Sequence, residues 1–255
     1  MPPKSTPKKP SRFSADLHGK FRRAIRKIRS QRSPKFVKNR RAYVLRGRVF
    51  KGAHGVLFRA FGSLQRMINA AGGCEANSTR SATATSRGNR VGRELCRLAA
   101  TPTGTLKTAA KKKGHKLHEW TPAVSLALRR WGIYLIDGEV PVHHRYIATG
   151  IDLLGVRRDP KDPHKWQLVC VELKTGYRGP VWRAKSLGKT QAGVDRSVMN
   201  YALTQAQLTH ECAVKTFKEY DFAPPMVVLV NDDGVKRFTP NDDIRAQTAA
   251  LWKSD

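Results

Sequence analysis

Apolar residues recur along the chain with two periods, and the switch between them outlines the elements. Leu17, Phe21, Ile25 and Ile28 share one face of a helix whose other positions are largely arginine and lysine, within LHGKFRRAIRKIRSQRS. Residues 56–71, VLFRAFGSLQRMINAA, repeat at helical spacing with a broader apolar face. They end at Gly72 and Gly73, where a left-handed C-cap favours glycine. The next stretch, CEANSTRSATATSRGN, is small and polar without an apolar period, and reads as a linker or flexible loop. Helices are expected over 89–99 and 121–131. Strand patterns follow in YLIDGEVPVHH (134–144), YIATGIDLLGVR (146–157) and WQLVCVELKTG (166–176), the last two separated by the turn-rich RDPKDPHK. A helix is expected over roughly 195–218, and PPMVVLVNDDGVKRF reads as strand, turn and strand. Strands framed by helices argue for a mixed α/β sandwich.

The N-terminal part reads differently. MPPKSTPKKPSRFS is rich in Pro, Ser and Lys and is expected to be disordered alone. The compact domain is expected to begin near Arg87. Residues 1–86 would then be a basic, partly disordered extension with helical segments, and 87–255 the folded domain.

Charge sharpens this division. The 255 residues carry 49 Lys+Arg against 19 Asp+Glu, a net of +30. Residues 1–118 hold 30 basic and three acidic side chains, whereas 119–255 hold 19 and 16. A field that uneven implies a polyanionic partner, because neutralising phosphates releases condensed counterions. Nucleic acid leads, with an anionic membrane surface second. Arg22, Arg23, Arg26 and Lys27 suit a phosphate-gripping arm, or else a nuclear or mitochondrial targeting sequence. Lys111, Lys112 and Lys113 form a second basic cluster in an expected loop. No run of about 18 apolar residues suggests a membrane span, and no apolar signal-peptide core suggests secretion. An intracellular, DNA-containing compartment is expected: nucleus, nucleoid, mitochondrion or virion. Cys74, Cys96, Cys170 and Cys212 are scattered and lack CxxC spacing, which speaks against structural zinc and a disulfide framework.

Candidate chemistry lies in CVELKTG. Alternation along a strand sends Val169, Val171 and Leu173 to the core and Cys170, Glu172 and Lys174 to the opposite surface. Taken alone, Glu172 and Lys174 read as an exposed ion pair. The preceding strand changes that reading. ATGIDLLGV sets Asp152 in an apolar run, where an unpaired carboxylate is costly, and a tight connection brings it near Glu172. Two carboxylates beside a lysine make a hard-oxygen site suited to magnesium, to which the Leu173 carbonyl can add a ligand. The lysine can orient or help deprotonate water, or stabilise charge on a phosphorane-like transition state.

In these residues the chain resembles the PD-(D/E)xK nuclease superfamily, nearest its RecB and phage-exonuclease branch. The pattern there is an acid at the end of one strand and (D/E)xK on the next, here the Asp of GIDLLGV and the Glu and Lys of VELKTG. Ile151 stands where the literal motif has proline. The resemblance covers about residues 89–238. It implies a restriction-endonuclease-like α/β core with a central mixed sheet flanked by helices. It also implies metal ligation by Asp152 and Glu172, and service to the nucleophile by Lys174. The branch often adds an acid from a helix before the sheet and a glutamine from a helix after it. Glu94, in SRGNRVGRELCRLAA, and Gln207, in NYALTQAQLTHECA with Tyr201 and Gln205 nearby, occupy those places.

The expected activity is magnesium-dependent hydrolysis of DNA with little sequence specificity, with manganese as the alternative ion. Exonuclease or endonuclease action, and DNA or RNA, stay open. Tyr177, Arg178, Trp182, Arg183, Lys185 and Lys189 follow the ExK strand and suit the strand being cut. His143 and His144 point to opposite faces and are not expected to share a metal. Asp159, Asp162, Asp232 and Asp233 read as turn residues. The rival reading is a non-catalytic nucleic-acid-binding or packaging protein on a nuclease-like fold. A structural subunit of a ribonucleoprotein is a third, which leaves the carboxylate–lysine set unexplained.

Overall fold

The basic amphipathic pattern forms α1 (Ala15–Arg32) in the computed structural model of the chain, which describes residues 13–37, 42–70, 78–101, 116–176 and 186–253. Ser14 caps it, its hydroxyl accepting from the Leu17 N–H at 3.1 Å. Asp16 in the first turn and Arg29 and Arg32 in the last complement the helix dipole. The apolar stripe is not idle, since Ile25 is fully buried in the main core. Three short antiparallel strands follow: β1 (Lys35–Val37), β2 (Ala42–Leu45) and β3 (Arg48–Gly52). Arg46 and Gly47, both at positive φ, form the two-residue turn joining β2 to β3, as the right-handed strand twist prefers.

The single helix expected over 56–71 is two, α2 (Ala53–Phe61) and α3 (Leu64–Ala70). Gly62, at φ 77°, ends the first, its N–H donating to the Phe58 carbonyl. The expected linker is largely helical, because α4 runs from Ser78 to Ala99. Val91, Leu95 and Leu98 bury one face of its final turns. That packing supports a helix through a segment whose own pattern carries no signal.

The remaining elements lie close to their expected spans. They are α5 (Trp120–Arg130), β4 (Tyr134–His144), β5 (Ile147–Arg158), β6 (Trp166–Thr175), α6 (Val198–Thr216), β7 (Met226–Asn231) and β8 (Gly234–Phe238). A final helix, α7 (Asp242–Leu251), was not expected; Asn241 caps it through its side chain.

The fold is α/β, with one mixed eight-stranded sheet flanked by helices. Its strands run in the order β1-β2-β3-β5-β6-β7-β8, with β4 paired to the other edge of β5. The β4–β5, β5–β6 and β7–β8 pairs are antiparallel, whereas β3–β5 and β6–β7 are parallel. One core cluster unites Ile25, Leu57 and Phe61 with Ile151, Leu154, Tyr201 and Leu208; the other joins Val91 and Leu95 to Val124, Leu153, Val171 and Val228. The expected boundary near Arg87 is therefore not a boundary of the core, since helices from 13–70 complete one of its faces. Among the described residues no helix is long and apolar enough to cross a membrane.

Close packing between the layers rests partly on Gly155 of β5. A Cβ there would lie 2.7 Å from Ile133 Cγ2 and 3.2 Å from the Tyr134 carbonyl. Gly155→Ala should cost about 1–3 kcal/mol by overpacking, read as a fall in Tm. Gly55→Ala, where an added Cβ meets nothing within 4 Å, should show no such loss.

One topological detail positions the site. β4 covers one edge of β5 from Ile147 to Val156. On the other edge β5 pairs with β3 at Ile147 and Ala148, and with β6 from Leu153 onward. Residues 149–152 lie between, without a ladder partner on that edge among the described residues. The sheet is split there.

Candidate active site at a split in the sheet

Asp152 stands at the mouth of this split. The β5–β6 ladder ends at Leu153 opposite Val171, and one further step would set Asp152 opposite Glu172. Instead the Asp152 carboxylate takes over from the ladder, Oδ2 accepting the Leu173 N–H at 2.8 Å. Leu173 thus touches the site through its N–H, a contact the sequence had not suggested; its expected contribution was the carbonyl.

Glu172 and Lys174 share a face of β6, as alternation requires, but that face is not surface. Helix α6 packs against it, leaving Cys170 and Glu172 buried at 2% and 3% exposure. Lys174 Nζ donates to Glu172 Oε1 at 2.7 Å and to Gln205 Oε1 at 3.1 Å. Glu172 Oε2 is buried with no hydrogen-bond partner among the described residues. A carboxylate oxygen in that condition is costly unless something cationic or protonated meets it. Burial, and then the Glu172 carboxylate, push the Asp152 carboxyl up to about 7, against smaller opposing effects of Lys174 and the Leu173 N–H. Two carboxylates therefore converge where one proton or one cation relieves both. Among the described residues no three His, Cys, Asp or Glu side chains are grouped to hold a metal. A magnesium site here would use two carboxylates and water, within that ion's habits.

The glutamine beside the lysine is Gln205, not Gln207. On α6, positions 201 and 205 are one turn apart and both line the cleft, whereas 207 lies about half a turn further round. Gln207 Nε2 donates to Glu211 Oε1 at 2.8 Å, beside a separate cavity of about 510 Å³ that also includes His210 and Trp252.

Glu94 is not brought to the site either. It is buried at 1% exposure between α4 and α5. Oε1 accepts from Arg90 Nε at 3.0 Å, and Oε2 from the His118 N–H at 3.1 Å and Thr121 Oγ1 at 2.5 Å. Burial pushes its carboxyl up, but the bonds from Thr121, Arg90 and the His118 backbone outweigh this and hold it below the usual range. Its oxygens staple two helices.

Two groups escaped the sequence reading. His54, at the start of α2, lines the cleft and its Nδ1 lies 3.1 Å from the Tyr201 hydroxyl. Burial and then the Lys174 charge lower its pKa, against an opposing effect of Asp152. Glu139 also lines the cleft, at φ 49°, flanked by the pairs Gly138–Leu153 and Val140–Ile151 that set it across the ladder from Asp152. A non-glycine residue in that conformation merits notice, but only the hairpin register identifies the position.

Of the expected nucleic-acid contacts, Arg23, Arg26 and Lys27 are exposed on α1, while Arg22 is partly buried and donates to the Ala100 carbonyl after α4. Lys189 is exposed and bridges to Asp195 through its backbone. Tyr177, Arg178, Trp182, Arg183, Lys185 and Lys111 to Lys113 lie outside the described residues. His143 and His144 are structural: one lies 3.0 Å from the Arg32 carbonyl through Nε2, the other packs edge-on against Trp252.

The cleft holding these groups has a volume of about 1120 Å³, and a second of about 790 Å³ adjoins it across Asp152. Compared with models of known protein families the chain matches none, and no curated protein matches it.

Proposed function

We propose that the chain is a metal-dependent nuclease that hydrolyses DNA phosphodiester bonds on a restriction-endonuclease-like core. The observation that carries this reading is the unpartnered, buried Glu172 Oε2 beside a carboxyl whose pKa is raised. A shared proton relieves such a pair at low pH, and a divalent cation can take its place when both carboxylates are ionised. The order of elements supports it: a helix, a three-stranded antiparallel run bearing Asp152 and then Glu172 and Lys174, a helix, and a strand parallel to β6. The net charge of +30 supplies affinity for the polyanion.

Asp152 and Glu172 would hold the ion, magnesium or manganese, which supplies Lewis acidity toward a phosphate oxygen and lowers the pKa of water. The protein's own contribution is positioning and charge. The Leu173 N–H fixes the Asp152 carboxylate through Oδ2. Glu172 Oε1 and Gln205 Oε1 together steer Lys174 Nζ, which sets a positive charge beside the phosphate where negative charge builds during attack.

Purified wild type and Lys174→Ala, incubated with linear and closed circular DNA with magnesium or chelator, test the reading. Wild type should cut only with metal, and Lys174→Ala should retain binding but lose roughly 10²–10³-fold in rate. Cutting of linear DNA alone marks an exonuclease, and nicking of circles an endonuclease. If both proteins bind and neither cuts any form, the chain is a binding or packaging protein and the proposal fails.

A further inference from the structure

The two clefts meet at the split in the sheet. His54, Asp152 and Gln205 line both. One opens beside β6, α4 and α3; the other opens beside β1–β3 and the unpaired stretch 149–152 of β5. Asp152 thus borders a cleft on each side, as it would in a passage and would not in a blind pocket. Each mouth carries a large aromatic that the core does not use. Phe58 is 60% exposed at the first mouth, and Phe36 is 53% exposed at the second, edge-on to Tyr43 at 5.1 Å. Cations stand beside them: Arg93 lines the first, Lys51 and Arg59 the second.

We infer that this two-mouthed cleft is the path of a single nucleic-acid strand, which crosses the sheet at the split with one base on Phe58, another on Phe36, and the phosphate between them at Asp152. The physical reason is the accessibility of base faces. A duplex keeps its bases stacked on each other, so exposed phenyl rings gain nothing from it. An unpaired strand offers free π-faces, and aromatics set among cations are how proteins hold one without regard to sequence. Lys51, on β3 of the three-stranded N-terminal meander, and Arg59, on α2, lie where its backbone passes. On this assignment that meander forms one wall of the substrate path. The inference rests on the nuclease reading for the meaning of Asp152, yet strand binding and cleavage can be measured apart.

The full-length protein in chelator, where nothing is cut, is titrated with a fluorescent 20-nucleotide oligo(dT) and with a 20-base-pair duplex. Phe36→Ala and Phe58→Ala are compared with wild type. Both side chains are more than half exposed, so the variants should fold, and an unchanged Tm checks this. Each substitution should weaken oligo(dT) binding about tenfold and leave duplex binding unchanged, and in magnesium each should slow cleavage of the single strand. Equal losses on oligo(dT) and duplex, or no loss on either, overturn the path. If wild type cuts nothing while oligo(dT) binding still depends on both rings, the path stands and the nuclease reading falls. If wild type cuts single strands and both variants match it in binding and rate, the nuclease reading stands and the path falls.

Discussion

Asp152→Asn is expected to abolish metal-dependent cleavage while making the metal-free protein more stable above neutral pH. The first effect follows from losing one of the two carboxylates assigned to the ion; Lewis-acid stabilisation worth several kcal/mol corresponds to a rate loss of roughly 10³-fold. The second follows from linkage. The Asp152 carboxyl is raised from an ordinary 3.8 to about 7 in the fold, chiefly by burial and then by Glu172. The native state therefore holds a proton that the unfolded chain has released, and metal-free stability falls as pH rises from about 4 through about 7. Asparagine cannot ionise, and its side-chain oxygen can still accept the Leu173 N–H. Thermal unfolding at pH 5 and pH 8, with chelator and with magnesium, reads both effects. Wild type in chelator should lose Tm between the two pH values and regain it with magnesium; Asp152→Asn should do neither. A wild-type Tm indifferent to magnesium at pH 8 would remove the ion from Asp152 and Glu172.

Glu94→Ala should have the opposite profile, with a large loss of stability and no direct loss of chemistry. The substitution strands the buried Thr121 hydroxyl and the part-buried His118 N–H, and leaves Arg90 with the Lys116 carbonyl but without its carboxylate. Unsatisfied buried donors of this kind cost on the order of 3 kcal/mol together, or roughly 6–12 °C in Tm for a chain of this size. Glu94→Gln, which keeps an acceptor, should lose less. At a temperature where both remain folded, cleavage per folded molecule and the magnesium concentration for half-maximal rate should match wild type. A raised magnesium requirement in Glu94→Gln without a fall in Tm would return Glu94 to the metal site.

These two residues show how far local pattern reaches. Asp152, Glu172 and Lys174 were legible because a strand has a period of two, and because a carboxylate in an apolar run must find a partner. Adjacent strands joined by a short connection then leave little choice of neighbour. The same logic fails for Glu94. A lone acid on an arginine-rich helix looks alike whether it meets a metal or staples a neighbouring helix, and only the arrival of His118 and Thr121 decides. Gln205 and Gln207 differ by two residues on one helix. Their sequence surroundings are nearly equivalent, and the rotation of α6 on the sheet selects Gln205.

The N-terminal half was read least well, for a related reason. Its charge is so uneven that composition suggested an extension, yet Ile25, Leu57 and Phe61 close one face of the core and β3 pairs with β5. Short strands such as β1 to β3 carry little periodic signal, and the β5 residues that β3 pairs with lie about a hundred residues away. The sequence by itself determined the strand alternation, the hairpin that joins Asp152 to Glu172 and Lys174, and the net charge. Tertiary structure alone decided that the sheet divides along one edge of β5, and that His54, Gln205 and the two exposed phenylalanines gather around that division. Such a gap arises when two distant strands share one edge without meeting, and nothing local to either strand encodes it.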